Sequence, residues 1–391
     1  MALRTLVVGG GIGGLSLARE LAVRGLPVTV LERTAKLSPV GAGIIMNPNA
    51  MRVLERNGLA DGLRPHGWPY LARDTLDHRG RRLATRDYRP LYASGRLAVG
   101  SLVHRAHLHQ VLYDGLPPAT VHFGVRIHGL LATADRVRVT TEEGETLEAD
   151  LLVGADGIHS AVRARFFGRN DPVYLGYRSH RMVVENRDAV EHFMEFLGRG
   201  KRIGLVPISR DHLYVWTTFN SPRQSTAWAL ESASAFRMLF AEFSDPRVRG
   251  ALAQLTSTDG VLCTDIEELP QERWVDGRVV LLGDAAHALT PNMGQGAGMA
   301  MEDAAVLADE LAGANRGDQT LDAALGGYVT RRRPRVETIV RLSRAVGEEG
   351  QLANPIACWL RNRRVRHEGR DTVRVQATLE GLLAWPVGAD R

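Results

Sequence analysis

Apolar and polar positions follow three regimes along this chain. Leu3–Val8 is a short apolar run rich in β-branched residues, the pattern of a parallel strand buried on both faces. Glycines follow, and from Leu15 to Arg24 apolar residues recur at helical spacing, with Gly25 placed to end the helix. A second strand is expected over Val28–Leu31. Between Pro172 and about Glu268 the period shifts toward two. Glu191–Leu197, Arg202–Val206 and Leu213–Phe219 read as antiparallel strands joined by turns at Gly198-Arg199-Gly200 and Ser209-Arg210-Asp211. The helical period returns over Ala297–Leu311 and again in an Arg-rich tail that begins at Asn354–Arg361 and ends near Trp385.

Length and composition narrow this picture. At 391 residues and 44% hydrophobic, the chain suffices for two domains, or for one large domain carrying an insertion. No apolar run reaches the roughly 18 residues of a membrane span, and the start is too short for a signal-peptide core before its glycines. Cys263 and Cys358 make no disulfide framework, and no metal-ligand spacing occurs. A cytoplasmic location is the expectation. The net charge of +5 comes almost wholly from arginine, a bias that fits a GC-rich genome. The densest cluster, Arg331–Arg335, reads as a solvated helix face, because no aromatic platform for nucleic acid accompanies it.

Three motifs carry chemistry. Gly9-x-Gly11-x-x-Gly14 sits between a strand and a helix, and Glu32 closes the next strand about 18 residues beyond. This is a complete βαβ dinucleotide fingerprint. Gly9 allows the tight turn, Gly11 lets the backbone approach a pyrophosphate, and Gly14 lets the helix pack on the strand. The helix N-terminus faces the phosphates and Glu32 accepts from a ribose diol. The fingerprint alone does not separate FAD from NAD. The second motif is an apolar strand ending at Asp156-Gly157, with Ser160 and Arg163 following. The third is Gly283-Asp284, then Pro291 and Gly294-Gln295-Gly296, opening a helix.

Taken in order, these motifs resemble the single-component flavoprotein monooxygenases of the para-hydroxybenzoate hydroxylase superfamily, nearest the salicylate hydroxylase, zeaxanthin epoxidase and urate hydroxylase branch. Gly41–Arg52 and Val103-His104-Arg105 add to the likeness, which spans roughly residues 3–345. The resemblance implies an α/β fold: a Rossmann-like FAD-binding domain with an inserted antiparallel-sheet substrate domain and C-terminal helices. The division expected is 1–72, 98–171 and 269–345 for the FAD-binding domain, 73–97 and 172–268 for the substrate sheet, and 346–391 for the tail. FAD would be gripped at both ends. Gly9, Gly11, Gly13, Gly14, Glu32, Arg33, Arg105 and Asp156 serve its ADP half and pyrophosphate. Asp284, Gly294, Gln295, Gly296 and Ala297 serve the ribityl chain and ring, where a helix N-terminus stabilises the anion of the reduced flavin. Asp156 and Arg163 are further candidates for the pyrophosphate or nicotinamide side.

The implied activity is NAD(P)H- and O₂-dependent hydroxylation of an aromatic or heteroaromatic small molecule through a flavin C4a-hydroperoxide, in bacterial secondary metabolism or aromatic catabolism. The protein's own task is to orient substrate and exclude water. Pro291, Arg202 and Tyr214 are the candidate catalytic residues. Ser179, Arg202, Tyr214 and Trp216 are the candidate substrate contacts. Gly200-Lys201-Arg202 followed by Tyr214 resembles urate hydroxylases, but the Asn those enzymes carry after a Gly-Tyr pair is Ser179 here. Two readings of the Tyr214, Trp216 and Thr218 face stay open, a stacking surface for substrate or ordinary core. Arg202 either reaches a pocket or ends a hairpin on the surface. Epoxidation of an isoprenoid olefin and non-catalytic ligand binding are the alternative functions. A flavin halogenase is disfavoured, since its Trp-x-Trp-x-Ile-Pro segment is missing. The partners expected are substrate, O₂ and NAD(P)H, with no nucleic acid and a monomer or homodimer.

Overall fold

A computed structural model of the chain describes residues 2–37, 42–223, 232–270 and 272–384. Gly41 and Trp385 lie outside the described residues. The fold is mixed α/β. Its parallel core pairs Thr5–Val8 with Val28–Glu32 on one side and with Leu151–Gly154 on the other, and Val279–Leu281 extends the sheet beyond Leu151–Gly154. All four residues of Thr5–Val8 and of Leu151–Gly154 are buried, which explains their almost wholly apolar sequence.

Helices cover this sheet. Ile12–Val23 begins three residues before its helical periodicity does, because the fingerprint glycines form its first turn. Leu15, Leu17, Ala18 and Leu21 of this helix are fully buried, and each large apolar side chain contributes about 1.5–3 kcal/mol of transfer free energy. Gly296–Arg316 crosses the same region, and Leu321–Gly350 packs on it. That packing corrects the reading of Arg331–Arg335 as a solvated face. Arg332 is fully buried and donates to Glu302 at 2.5 Å and to Asp303 at 2.7 Å, while Arg335 also donates to Glu302. Two buried acids on the neighbouring helix require these cations.

The second sheet is seven-stranded and largely antiparallel, with Val173–Glu185, His212–Asn220, Lys201–Pro207 and Phe193–Leu197 as consecutive neighbours. Leu262–Glu268 pairs with Val173–Glu185 at one edge, and Ala72–Asp77, parallel to Phe193–Leu197, and Arg82–Asp87 complete the other. Its faces divide the labour. Leu213, Val215, Ile203, Leu205 and Phe196 pack against Phe236, Phe240 and Phe243 from the following helical region. Arg73, Glu195, Arg202, Tyr214, Trp216 and Thr218 occupy the opposite face, as their registers dictate.

Candidate functional site

The first glycine loop is shaped by contacts that only glycine permits. Gly9 has φ +108°, and a Cβ there would lie 2.4 Å from the carbonyl oxygen of Ala155. A Cβ on Gly14 would lie 1.9 Å from the carbonyl oxygen of Gly9, and one on Gly13 would meet Leu282 at 2.6 Å. Gly11 differs, because nothing lies within 4 Å of its absent Cβ. The helix it opens has no side-chain cap, so its first-turn N–H groups are available to a ligand. Glu32 accepts from the N–H of Gly10 at 2.7 Å and from that of Thr34 at 2.8 Å. Arg33 is exposed beside it.

At the second loop Gly283 has φ +60°, and its N–H donates to Asp303 at 3.1 Å. His287 Nε2 stands 2.5 Å from the same carboxylate. Burial works against ionising Asp303, but His287 and Arg332 outweigh it and bring the carboxyl down to about 2. Asp284 itself is exposed. The turn Pro291–Met293 and Gly294, left-handed at φ +62°, lead to Gln295 and the helix Gly296–Arg316, whose start also lacks a side-chain cap. Asn47 donates to the carbonyl of Gly294 at 2.8 Å, and Asn49 donates to Gln295 at 2.9 Å. Gln295 is fully buried, and Gly296 faces open space; Ala297 follows it in the first helical turn. Sequence reasoning passed over Asn47 and Asn49, although two amides flanking Pro48 at a helix start were a legible signal.

Electrostatics link the two loops. Arg105 opens a helix, and its backbone N–H donates to Ala42. Desolvation lowers its pKa, Asp284 opposes that shift, and Arg181 adds to it. Burial and then Arg105 push His109 down to about 4, with Glu32 pulling the other way. Arg105 therefore feels the charge of Asp284, and His109 feels the opposing charges of Arg105 and Glu32.

Asp156 and Arg163 hold the framework between the loops. Asp156 accepts from the hydroxyl of Ser160, from the N–H of Ala161 at 2.7 Å and from that of Val162 at 3.3 Å, so it caps a helix. Burial raises its pKa ahead of these hydrogen bonds, which lower it. Arg163 is buried and donates to the carbonyls of Ile158 and Ala285, tying the second motif to the residue after Asp284.

A cavity of about 530 Å³ adjoins the second loop. Asn47, Asn292, Met293 and Gln295 line it on one side, and Arg73, Glu195 and Arg202 line it from the sheet. Tyr70, Tyr88, Leu342, Val346, Val375, Leu379 and Leu383 form an aromatic and aliphatic wall, and Arg86, Glu349, Arg361, Glu368, Asp371 and Arg374 add charged groups, so the C-terminal tail lines the cavity. Arg202 is 1% exposed, which removes the surface-hairpin reading. Its guanidinium donates to Glu195 at 3.4 Å, Thr218 and Gln351 at 3.2 Å each, and Asn292 at 2.5 Å. It also lies 5.6 Å from the Trp216 ring. Glu195 is shared with Arg73, and the two arginines hold its pKa down against burial.

Of the four expected substrate contacts, only Arg202 lines this cavity. Tyr214 packs on Gly43, where a Cβ would come within 2.4 Å of the ring; burial raises its pKa and Arg181 lowers it. Trp216 and Ser179 share the sheet face with Arg202, and Ser179 is buried opposite Thr218. Pro291 begins the turn whose next residue, Asn292, carries the bond to Arg202. The sequence reading missed Arg73, Glu195 and Asn292. Glu195 had a signal, a carboxylate within the apolar run Phe193–Leu197.

Two uncapped helix starts, each beside a glycine with open space, and a cavity of about 530 Å³ next to the second are the features of a dinucleotide-binding oxidoreductase. The model of the FAD binding domain family matches residues 2–343, and the chain belongs to that family. It is an FAD-dependent monooxygenase. It is 35% identical to the 2-heptyl-3-hydroxy-4(1H)-quinolone synthase of Pseudomonas aeruginosa, over 92% of this chain and 93% of that one. It is 35% identical to the aurachin C monooxygenase/isomerase of Stigmatella aurantiaca, over 95% and 96%. The structure of Klebsiella pneumoniae HpxO complexed with FAD and uric acid is similar at a TM-score of 0.87 and 29% identity, covering 99% of this chain and 98% of that one. Among the described residues, no helix is long and apolar enough to cross a membrane.

Proposed function

We propose that this enzyme uses NAD(P)H and O₂ to hydroxylate a fused nitrogen heteroaromatic carrying an apolar substituent, with a 2-alkyl-4(1H)-quinolone as the leading candidate. The observation that carries the reading is the division of the cavity. Arg202 and Asn292 present polar groups beside the Pro291–Gln295 turn, and Leu342, Val346, Val375, Leu379 and Leu383 supply an apolar wall. Two relatives 35% identical to this chain add support through the quinolone and the aurachin in their names.

Bound FAD would supply reducing equivalents from NAD(P)H and the activation of O₂, which no side chain here can provide. Gly11, Glu32, Arg105 and Asp284 would hold its length, and the N–H groups of Gly296 and Ala297 its ring. Arg202 has N–H donors beyond those its protein partners accept, so it would fix a ring oxygen of the substrate as carbonyl or enolate. Pro291 and the apolar wall would exclude water from the reacting face. Tyr214 would act through its packing on Gly43, the residue that begins the strand leading to Asn47.

The test is O₂ uptake and NAD(P)H oxidation by the yellow protein with 2-heptyl-4(1H)-quinolone and a panel of heteroaromatics. Strong stimulation with a product one oxygen heavier supports the reading. Stimulation by isoprenoid olefins alone would make the enzyme an epoxidase, and silence across both panels would favour a ligand-binding flavoprotein.

A further inference from the structure

The helix Pro355–Glu368 has two faces with different surroundings. Inward, Cys358 and Arg361 are buried, Arg361 donates to the carbonyls of Gly198 and Gly350, and Val365 lines the cavity. Outward, Ile356, Trp359 and Leu360 stand at i, i+3 and i+4 and are 70%, 58% and 54% exposed. Arg363 and Arg366 continue that face, both exposed, with the Arg363 guanidinium 5.7 Å from the Trp359 ring. Val373, 78% exposed, lies in the first turn of the next helix, Thr372–Leu383. The single acid of the helix, Glu368, lines the cavity and lies 3.6 Å from Arg364. Among the described residues no carboxylate pairs with Arg363 or Arg366.

Scattered apolar residues on a surface need no explanation, but three large ones neighbouring on one helix face do. We propose that this face seats on an anionic lipid surface, with Ile356, Trp359 and Leu360 at the boundary of headgroups and acyl chains and Arg363 and Arg366 on lipid phosphates. Exposed Ile, Trp and Leu side chains would gain from burial at such an interface, and arginines without carboxylate partners would be drawn to its phosphates. A second copy of this chain fits less well, since a twofold contact would set the same arginines against one another. Docking by this helix also places the cavity, which its inner side lines, next to the lipid.

Flotation of the FAD-loaded protein with phosphatidylcholine vesicles, with and without phosphatidylglycerol, tests the proposal. Binding is expected only with phosphatidylglycerol and should weaken sharply in high salt. The double variant Arg363→Gln/Arg366→Gln should lower vesicle partition at least about tenfold, since each arginine contributes about 1 kcal/mol near such a surface. Trp359→Ser should lower it as well, and both variants should keep FAD and basal NAD(P)H oxidation. Equal binding to both vesicle types, no binding to either, or light scattering showing a dimer that Trp359→Ser dissolves, would each overturn the proposal. Because no substrate is present, such failure leaves the hydroxylase reading untouched.

Discussion

Arg202, in the middle of the antiparallel sheet, donates to the side-chain carbonyl of Asn292, in the turn that opens the helix Gly296–Arg316, at 2.5 Å. Asn292 in turn donates to Tyr177, to Thr290 at 2.8 Å and to the carbonyl of Ser343 at 2.9 Å. One amide thus joins the antiparallel sheet to the turn that opens the helix Gly296–Arg316.

Arg202→Ala should therefore retain FAD and lose most substrate-stimulated turnover, with KM raised at least about tenfold if one charge-assisted hydrogen bond of 1.5–3 kcal/mol is lost. It should also cost about 3 kcal/mol of stability, because Glu195 keeps only one of its two cations in a buried site. Adding Glu195→Gln should recover stability in urea denaturation and leave turnover impaired. Wild-type kinetics in Arg202→Ala would remove this residue from the pocket.

Gly11 and Gly14 of the first loop should separate folding from cofactor binding. Gly14→Ala forces a Cβ to 1.9 Å from a backbone oxygen and should destabilise the protein by about 3 kcal/mol or more. Gly11→Ala has no neighbour within 4 Å, so the melting temperature of its FAD-free form should match wild type. Its FAD affinity should still fall at least about tenfold, because the methyl occupies the approach of the pyrophosphate. Equal FAD titrations for Gly11→Ala and wild type would refute that role.

Asp284→Ala should purify colourless and take up FAD poorly. The carboxylate is exposed, so folding should be unaffected by its loss, and absorbance of flavin per protein chain is the direct measure. A fully yellow variant would rule out Asp284 as a grip on the cofactor.

A pH dependence follows from His180, which is 1% exposed, stacks on Phe219 at 5.2 Å and has Nδ1 3.2 Å from Thr217. Burial, then Arg178, pushes its pKa down to about 4. The unfolded chain takes up this proton below about 6.5 while the folded chain resists. Its stabilising contribution is complete above pH 6.5 and is lost as pH falls toward 4, by up to about 3 kcal/mol. His180→Phe should flatten the urea midpoint over that window relative to wild type. An unchanged slope would mean that His180 titrates normally in the folded protein.

Both cofactor loops were legible along the chain because their requirements are local. A glycine turn between strand and helix, or a Gly-Asp pair before a helix start, is a matter of backbone conformation within a few residues. The alternation of Tyr214, Trp216 and Thr218 likewise placed all three on one face, as the strand registers bear out. That periodicity left open which side met helices and which met the cavity, since packing from Phe236, Phe240 and Phe243 decides it. The burial of Arg332 was misjudged for a related reason: its partners Glu302 and Asp303 precede it by some thirty residues, and only helix packing joins them. The amino-acid order by itself determined where the two glycine loops and their helix starts form, because turns and helix starts are set by neighbouring residues. Only the tertiary structure assembled the cavity around Arg73, Glu195, Arg202 and Asn292 and gave it a wall from the tail, because those contacts span distant segments that no local pattern relates.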